Sequence, residues 1–561
     1  MKLSGAEIII KLLERQGIDT VAGIPGGANL PLYDALFKSP IRHILARHEQ
    51  GAGFIAHGMA RSTGRPAVCF ATSGPGATNL ITAIADARLD SVPLIAITGQ
   101  VPTSMLGSDA FQEVDIYNMT IPITKHNFLV RGAAELLSVI PEAFEIAISG
   151  RPGPVLIDVP KDVQTQEIEI YGWPEVAEGE VPPPPDMDAI AKAAAMITAA
   201  KRPVLYAGGG VTNSASHATL RALAEKNSIP VALTLMGLGC FPPDHPLYLG
   251  MLGMHAAPYT NLLLDEADLL IAVGARFDDR AVGRVQEFCP EAAIVHIDID
   301  RAELDKIKKS HVSMACDAGQ ALAALLPPVG RDERPDWLTR LSRLREEHPF
   351  PSPAAVDAFH PLSIIRTLAA CAPADAIITT DVGQHQMWVA QGYPFNRPRT
   401  LLTSGGLGTM GFGLPAAIGA SLANPGRRVI CISGDGSIQM NIQELATLSE
   451  LGLPVTLIVL NNGHLGLVRQ QQELFYGSNF IASRFGIRLD FAAIAGEFGI
   501  RGSSMRPTDR PAEIIAAAVS EGGPCVIDIA VDAERNVFPI VPPGAANRDM
   551  IGGESYGKYR N

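Results

Sequence analysis

The sequence predicts an α/β protein of three blocks, each a mostly parallel sheet flanked by helices. Strand-length apolar runs alternate with helical patterns along the whole chain, as buried parallel strands do. Several runs end in Gly, Asp or Ser clusters, the turn chemistry of a sheet's ligand-binding edge. Two stretches interrupt the alternation. Residues 166–190 lose periodicity and contain Pro182-Pro183-Pro184-Pro185, while residues 331–358 mix charges with Pro349-Phe350-Pro351-Ser352-Pro353. Both read as linkers.

Taken in order, the first block (1–165) has strand runs at 67–72, 92–98 and 155–159. The middle block (191–330) has them at 204–207, 231–235, 269–273 and 294–297. The third (359–532) has them at 377–380, 429–432, 455–460 and 526–529, with a helix over 442–451, and a tail follows over 533–561. At 561 residues the chain is too long for one core. No short-period repeat is visible.

Composition excludes several function classes. Hydrophobic residues make up 47% and charged ones 18%, ample for burial. A net charge of −13 argues against nucleic acid and against an anionic membrane surface. No apolar stretch is long enough to span a bilayer, and the start Met1-Lys2-Leu3-Ser4-Gly5-Ala6-Glu7 does not read as a signal peptide, so a cytoplasmic location is expected. The seven cysteines are scattered with no C-x-x-C pair, which predicts buried, reduced thiols rather than zinc.

The most informative motif lies in the third block. The run at 429–432 ends in Gly434-Asp435-Gly436-Ser437, and the run at 455–460 ends in Asn461-Asn462. A carboxylate and a carboxamide thus meet at the carboxyl edge of neighbouring strands. Asp435 supplies anionic oxygen, Asn462 neutral oxygen, and the glycines let backbone approach a phosphate. This suits Mg²⁺ held against a diphosphate. Asp381-Val382-Gly383-Gln384-His385 adds donors on the same edge. Gly406-Leu407-Gly408-Thr409-Met410-Gly411 matches G-x-G-x-x-G, but residues 424–428 supply no acid to hold a ribose, so a nicotinamide site is rejected there.

In the first block, Glu49 is one acid beside a segment, residues 50–59, nearly free of charge, which predicts partial burial. A shielded carboxyl suits proton exchange with a ring nitrogen. In the middle block, Gly208-Gly209-Gly210 follows one strand and Thr234-Leu235-Met236-Gly237 ends another; Arg276, Asp279-Arg280 and Asp298 come later. Flexible backbone with arginines suits a pyrophosphate, and an acid at a strand end suits a ribose or an adenine amine.

The paired GDGS and NN motifs resemble the signature of thiamine-diphosphate enzymes. Over nearly its whole length the chain resembles the catalytic subunits of the acetolactate synthase (acetohydroxyacid synthase) family. The matching stretches include Gly23-Ile24-Pro25-Gly26-Gly27, Arg47-His48-Glu49-Gln50-Gly51-Ala52, Ala71-Thr72-Ser73-Gly74-Pro75-Gly76-Ala77-Thr78-Asn79, Asp109-Ala110-Phe111-Gln112-Glu113, Gly274-Ala275-Arg276-Phe277-Asp278-Asp279-Arg280 and Leu465-Gly466-Leu467-Val468-Arg469-Gln470.

The resemblance implies decarboxylation of pyruvate and ligation of the hydroxyethyl unit to pyruvate or 2-ketobutyrate. The products are 2-acetolactate or 2-aceto-2-hydroxybutyrate, on the way to branched-chain amino acids. It implies a pyrimidine-binding first domain, a central FAD-type domain and a third domain for diphosphate and Mg²⁺. Glu49 then contacts the aminopyrimidine. Pro25, Gly26, Thr72, Asn79, Val382, Gly383, Gln384, His385, Gly408, Met410, Gly434, Gly436, Ser437 and Leu467 complete the thiamine diphosphate site, with Met410 wedged beneath the ring. His464 joins Asp435 and Asn462 at the metal.

For FAD the resemblance implies Arg151, Gly208, Gly209, Gly210, Thr234, Leu235, Met236, Leu252, Gly253, Met254, His255, Gly274, Arg276, Asp278, Arg280, Asp298 and Ile299. Phe111 and Gln112 border the reacting centre. Lys125, Lys161 and Arg280 line a channel for anionic 2-keto acids, counted with Gln471. Active sites at a subunit boundary, a homodimer or homotetramer, and a small regulatory subunit are also implied.

One residue departs from the family pattern. Most members carry Trp after Val-Arg-Gln, where this chain has Gln471. Losing an apolar contact with one methyl group costs discrimination, so weak preference for 2-ketobutyrate is expected. Neighbouring chemistries fit less well: none of the 13 histidines adjoins another, as a pyruvate decarboxylase-like site would require, and Glu49 is an acid where glyoxylate carboligases lack one. A flavin-free catabolic acetolactate synthase and a pyruvate oxidase-like enzyme remain as alternatives. Intact Glu49, Asp435 and Asn462 argue against a non-catalytic scaffold.

Overall fold

The computed structural model describes residues 1–350 and 357–552; Pro351, Ser352 and Pro353 of the second interruption and residues 553–561 of the tail lie outside the described residues. A short antiparallel pair, β1 (Lys2–Ser4) and β8 (Glu167–Glu169), ties the start of the chain to the end of the first block. Between them runs a six-stranded parallel sheet: β2 (Thr20–Gly23), β3 (Arg42–Leu45), β4 (Ala67–Ala71), β5 (Leu94–Gln100), β6 (His126–Leu129) and β7 (Val155–Pro160), in the order β3-β2-β4-β5-β7-β6.

The middle sheet holds β9 (Pro203–Ala207), β10 (Val231–Leu233), β11 (Tyr248–Met251), β12 (Leu269–Val273), β13 (Ala293–Asp298) and β14 (Val312–Ala315), ordered β11-β10-β9-β12-β13-β14. The third holds β15 (Ile377–Thr380), β16 (Leu401–Leu402), β17 (Val429–Gly434), β18 (Val455–Asn461), β19 (Arg501–Met505) and β20 (Cys525–Ala530), ordered β16-β15-β17-β18-β20-β19. The first and third sheets therefore share one topology. The middle sheet has the strand order of dinucleotide-binding domains.

The strand order reverses between β2 and β4, between β9 and β12, and between β15 and β17; the first and third sheets reverse again at their β7–β6 and β20–β19 edges. Open α/β sheets bind ligands outside the carboxyl ends of strands at such points. Pro25, Gly26 and Thr72 follow the first pair, Gly208 to Gly210 and Gly274 to Arg276 the second, and Val382 to His385 and Asp435 to Ser437 the third. Topology alone thus collects most of the residues singled out by motif.

Two stretches expected as linkers carry structure. Residues 166–190 contain β8 and the first turn of the helix Met187–Ala199. Residues 331–358 contain the helix Pro335–Glu347, whose Trp337, Leu341 and Leu344 are buried against the middle block, with Trp337 Nε1 donating to Pro203 O at 3.0 Å. The charges and flanking prolines of this segment hid that apolar face. The strands absent from the sequence reading are short, and four of them, β3, β6, β14 and β19, run at sheet edges with mixed burial, so no continuous apolar run marks them.

The first and third blocks pack through two helices, α1 (Glu49–Thr63) and α2 (Gly413–Ala423). A Cβ on Gly58 would lie 2.0 Å from Ala416 O, and one on Gly419 would lie 1.8 Å from Ile55 O. Only glycine allows backbones this close. Phe54 and Phe412 meet edge-on beside this contact, 5.2 Å between ring centroids.

Candidate active site

The third block's switch point opens into a cavity of about 200 Å³, walled by Val382, Gly383, Gln384, His385, Gly408, Met410, Gly434 to Ser437, Asn462, His464 and Leu467. Asp435 is 4% exposed, and its Oδ2 accepts Gly463 N at 2.7 Å. Burial raises its carboxyl to about 6 against the pull of the Gly463 and Gly436 backbone amides. A desolvated carboxylate of this kind is a seat for a cation. Asn462 Nδ2 reaches Gln384 Oε1 at 3.4 Å, and its Oδ1 accepts His464 N at 2.9 Å.

His464 walls the same cavity, and its Nδ1 lies 2.9 Å from the carbonyl of Asn462. Among the described residues no cluster of three His, Cys, Asp or Glu could hold a metal alone. One carboxylate, amide oxygens and a phosphate ligand suit Mg²⁺, which favours hard oxygen and substrate phosphate over an all-protein cage.

His385 marks the anion end of the cavity. It is buried, its Nε2 has no partner, and burial lowers its pKa to about 3, so the ring is neutral. Gly383 sits at φ +150°, and a Cβ on Gly434 would lie 2.9 Å from His385 Nδ1. The backbone is drawn against the ring where a phosphate oxygen would meet an unsatisfied nitrogen. Ser437 Oγ donates to Val382 O at 2.7 Å, and buried Asp381 accepts Gly411 N at 2.7 Å and Ser433 Oγ at 2.9 Å.

The first block gathers a second group. Glu49 opens α1 and is half-buried; its Oε2 accepts Asn79 Nδ2 at 2.8 Å. Thr72 Oγ1 accepts Ala28 N at 3.3 Å, and Gly26 packs so closely on Thr72 that a Cβ would lie 2.6 Å from it. Pro25, Gly26, Thr72, Glu49 and Asn79 therefore share one sheet edge. None of them lines the third-block cavity of the same chain.

The other first-block candidates do not converge on that cavity. Phe111 is 88% exposed, and Gln112, at φ +60°, packs its backbone against Gly74. Lys161 is exposed at the start of the helix Lys161–Thr165. Lys125 Nζ donates to Ile146 O and, at 2.6 Å, to Ser149 O, capping the end of the helix Leu136–Ile148; burial lowers its pKa to about 8.

At the middle switch point, a cavity of about 340 Å³ is walled by Arg151, Gly209, Gly210, Thr234, Met236, Gly274, Arg276, Asp278, Asp298 and Ile299. A second, about 530 Å³, shares Thr234, Met236, Arg276 and Asp278 and runs past Leu235, Leu252, Met254, His255, Arg280 and Gln471. It ends on Val382, Gly408 and Leu467, which also wall the third-block cavity. The two share a wall at the switch point of a sheet with the strand order of dinucleotide-binding domains. Gly208 abuts Gly274 O and Gly253 abuts Arg280 O, so both shape these cavities from behind. Arg151 is already paired within the protein: its NH1 lies 3.2 Å from Asp300 and 3.0 Å from Glu303. His255 Nδ1 meets Pro539 O of the C-terminal segment at 3.0 Å.

Three family profiles match the chain: thiamine pyrophosphate enzyme, N-terminal TPP binding domain, over residues 3–119; the central domain over 190–325; and the C-terminal TPP binding domain over 381–529. The chain is 58% identical to the acetolactate synthase isozyme 1 large subunit of Escherichia coli K12, over 98% of both chains. It is 45% identical to the isozyme 2 large subunit of the same organism, over 98% of this chain and 99% of that one. The acetolactate synthase large subunit of Parasynechococcus marenigrum is 47% identical, over 98% and 91%.

The chain belongs to the acetolactate synthase large-subunit family. Thiamine diphosphate, Mg²⁺ and FAD are the usual cofactors of this family. The donor set fits the first two, through unpartnered His385 and desolvated Asp435. The Gly-lined groove on a dinucleotide-type strand order fits the third. Residues near the site that the sequence reading did not single out include Asp381 and Glu444. Asp381 was seen only as part of a motif, and Glu444, buried on the helix Glu444–Leu451, carried no motif at all. Among the described residues no helix is long and apolar enough to cross a membrane, and all seven cysteines are free, six of them buried.

Proposed function

We propose that this acetolactate synthase family member decarboxylates pyruvate and joins the two-carbon unit to a second 2-keto acid. Pyruvate as acceptor gives 2-acetolactate, and 2-ketobutyrate gives 2-aceto-2-hydroxybutyrate. Bound thiamine diphosphate supplies the carbon nucleophile that such a ligation needs. The buried pair of Asp435 and unpartnered His385 at the third switch point carries the reading.

Asp435 and the Asn462 amide hold Mg²⁺, while His385, Ser437 and the Gly434–Gly436 backbone receive the diphosphate. With the coenzyme bound, Glu49 would exchange a proton with its pyrimidine ring, and Asn79 orients the Glu49 carboxylate. Met410, Gly408 and Leu467 support the ring. Because Glu49 and its neighbours do not line their own chain's third-block cavity, two copies complete each site, and a homodimer is the minimal active unit. Phe111, exposed on one chain, then finds its place against the other. FAD occupies the middle groove, Arg280 and Lys161 draw anionic substrate inward, and a small regulatory subunit and a cytoplasmic location complete the assignment.

Activity on pyruvate should require thiamine diphosphate and Mg²⁺, with acetolactate as product. Asp435→Ala should abolish Mg²⁺-dependent coenzyme uptake, exceeding the roughly 10–100-fold loss typical of outer-shell changes. Peroxide or quinol instead of acetolactate would point to a pyruvate oxidase-like enzyme. Full activity without flavin absorbance would favour the flavin-free alternative. An alanine at Asp435 that left uptake and turnover intact would remove the proposal.

A further inference from the structure

The loop 404–411 runs from β16 to α2 and presents Gly408 and Met410 to the third-block cavity. Two carboxylates of the first block of the same chain grip it from outside. Asp90 Oδ1 accepts Gly406 N at 2.7 Å and Oδ2 accepts Gly405 N at 2.8 Å. Asp86 Oδ2 accepts Thr409 Oγ1 at 2.9 Å and the Ser404 hydroxyl, whose Oγ accepts Thr409 N at 2.8 Å.

Arg61 holds both carboxylates, its NH2 lying 3.3 Å from Asp86 Oδ1 and 2.5 Å from Asp90 Oδ2. The Asp86, Asp90 and Arg61 side chains are 0%, 1% and 7% exposed. A Cβ on Gly406 would lie 2.9 Å from Asp90 Oδ1, so the loop is shaped to its clamp.

Two buried side-chain carboxylates share a single guanidinium, leaving negative charge that it does not offset, at a site where Asp90 also borders the middle cavity. The glycine amides and the two hydroxyls of the loop satisfy that charge, and charge-assisted bonds of this kind are the strong ones. Gly405 and Gly406 are exposed on one side and pack on Met236 and Leu89 on the other, so their amides depend on Asp90 for partners. The clamp holds the loop from Ser404 to Thr409, while Asp381, accepting Gly411 N, holds its end.

We propose that Asp86 and Asp90 are positioning residues that fix the 404–411 loop, and with it Met410, in the form that receives the coenzyme ring. This rests on the thiamine diphosphate reading of the cavity. It ties the first block's packing to coenzyme affinity without touching Glu49.

The test compares Thr409→Val, Thr409→Ser and Asp90→Asn in the full-length protein. Amide hydrogen exchange of residues 404–411 is followed without coenzyme, and Mg²⁺–thiamine diphosphate affinity is titrated into stripped protein. Losing one bond to a buried charge should weaken affinity about tenfold or more and speed exchange in the loop. Thr409→Ser should restore both, while exchange in β17 and β18 stays at the wild-type rate. Wild-type exchange and affinity in Thr409→Val would overturn the clamp, whether or not Asp90→Asn folds. Should the wild-type protein take up no coenzyme, the cavity reading fails, and the exchange arm still decides the clamp.

Discussion

Glu444 Oε1 accepts the backbone amides of Arg47, at 2.9 Å, and His48, at 3.2 Å, so a buried third-block carboxylate anchors the chain just ahead of Glu49. Thr447 Oγ1 holds its other oxygen at 2.7 Å, and burial raises the carboxyl above its ordinary range. Replacing Glu444 by alanine strands two amides. Hydrogen bonds to a charged group contribute about 1.5–3 kcal/mol. We expect Glu444→Ala to lower stability by about that much and to reduce turnover, as read by urea denaturation and initial rates. Stability within about 0.5 kcal/mol of wild type would show that the anchor does not act.

Glu49→Gln keeps the shape of the side chain and a partner for Asn79 but removes the exchangeable proton. General acid–base groups contribute about 10²–10⁴ in rate. Turnover on pyruvate should fall within that range while coenzyme affinity changes little. A variant as fast as wild type would take Glu49 out of the chemistry.

Asp158 gives a pH signature remote from the proposed coenzyme cavity. It is wholly buried between Thr98 Oγ1 at 2.7 Å and Gln100 Nε2 at 3.0 Å, and burial raises its pKa from 3.8 to about 7. Between those values the folded protein holds a proton that the unfolded chain releases. This contribution to stability is therefore full below 3.8 and is lost as pH rises through about 7. Asp158→Asn does not titrate. Relative to wild type, its stability should improve on moving from about pH 5.5 to about pH 8, by up to about 1.4 kcal/mol per unit across the window. Denaturation midpoints at both pH values measure it; a difference that does not change with pH would refute the assignment.

Gln471 is exposed in the groove beside Leu407, Leu467 and Met254. A polar amide gives little contact to an extra methyl, whereas one methylene in an apolar pocket is worth about 1–3 kcal/mol. With pyruvate and 2-ketobutyrate supplied together, wild type should yield both products near the ratio of the acceptors. Gln471→Trp should shift the product toward 2-aceto-2-hydroxybutyrate. Mostly 2-aceto-2-hydroxybutyrate from wild type at a low share of 2-ketobutyrate would defeat this.

Central strands were legible because burial on both faces writes itself as unbroken apolar runs, as in Val429–Gly434 and Val455–Asn461. Edge strands such as Arg42–Leu45 mix exposed and buried positions and left no such trace. The phosphate edge was readable because Asp435 and Asn462 follow strands that are neighbours in the sheet, so spacing along the chain became proximity. Glu444 and Asp86 could not be read that way. Their partners lie in another block, 397 residues away for Arg47 and 323 for Thr409, and one sequence carries no sign of such pairings.

The bare-backbone crossing of Gly58 and Gly419 bears on how this protein can be rebuilt. A first domain borrowed from a distant relative would meet its host at two points with no side-chain slack to absorb a shifted helix. Chimaeras joined through the Pro182–Pro185 run should therefore survive only when both crossing helices come from the same parent.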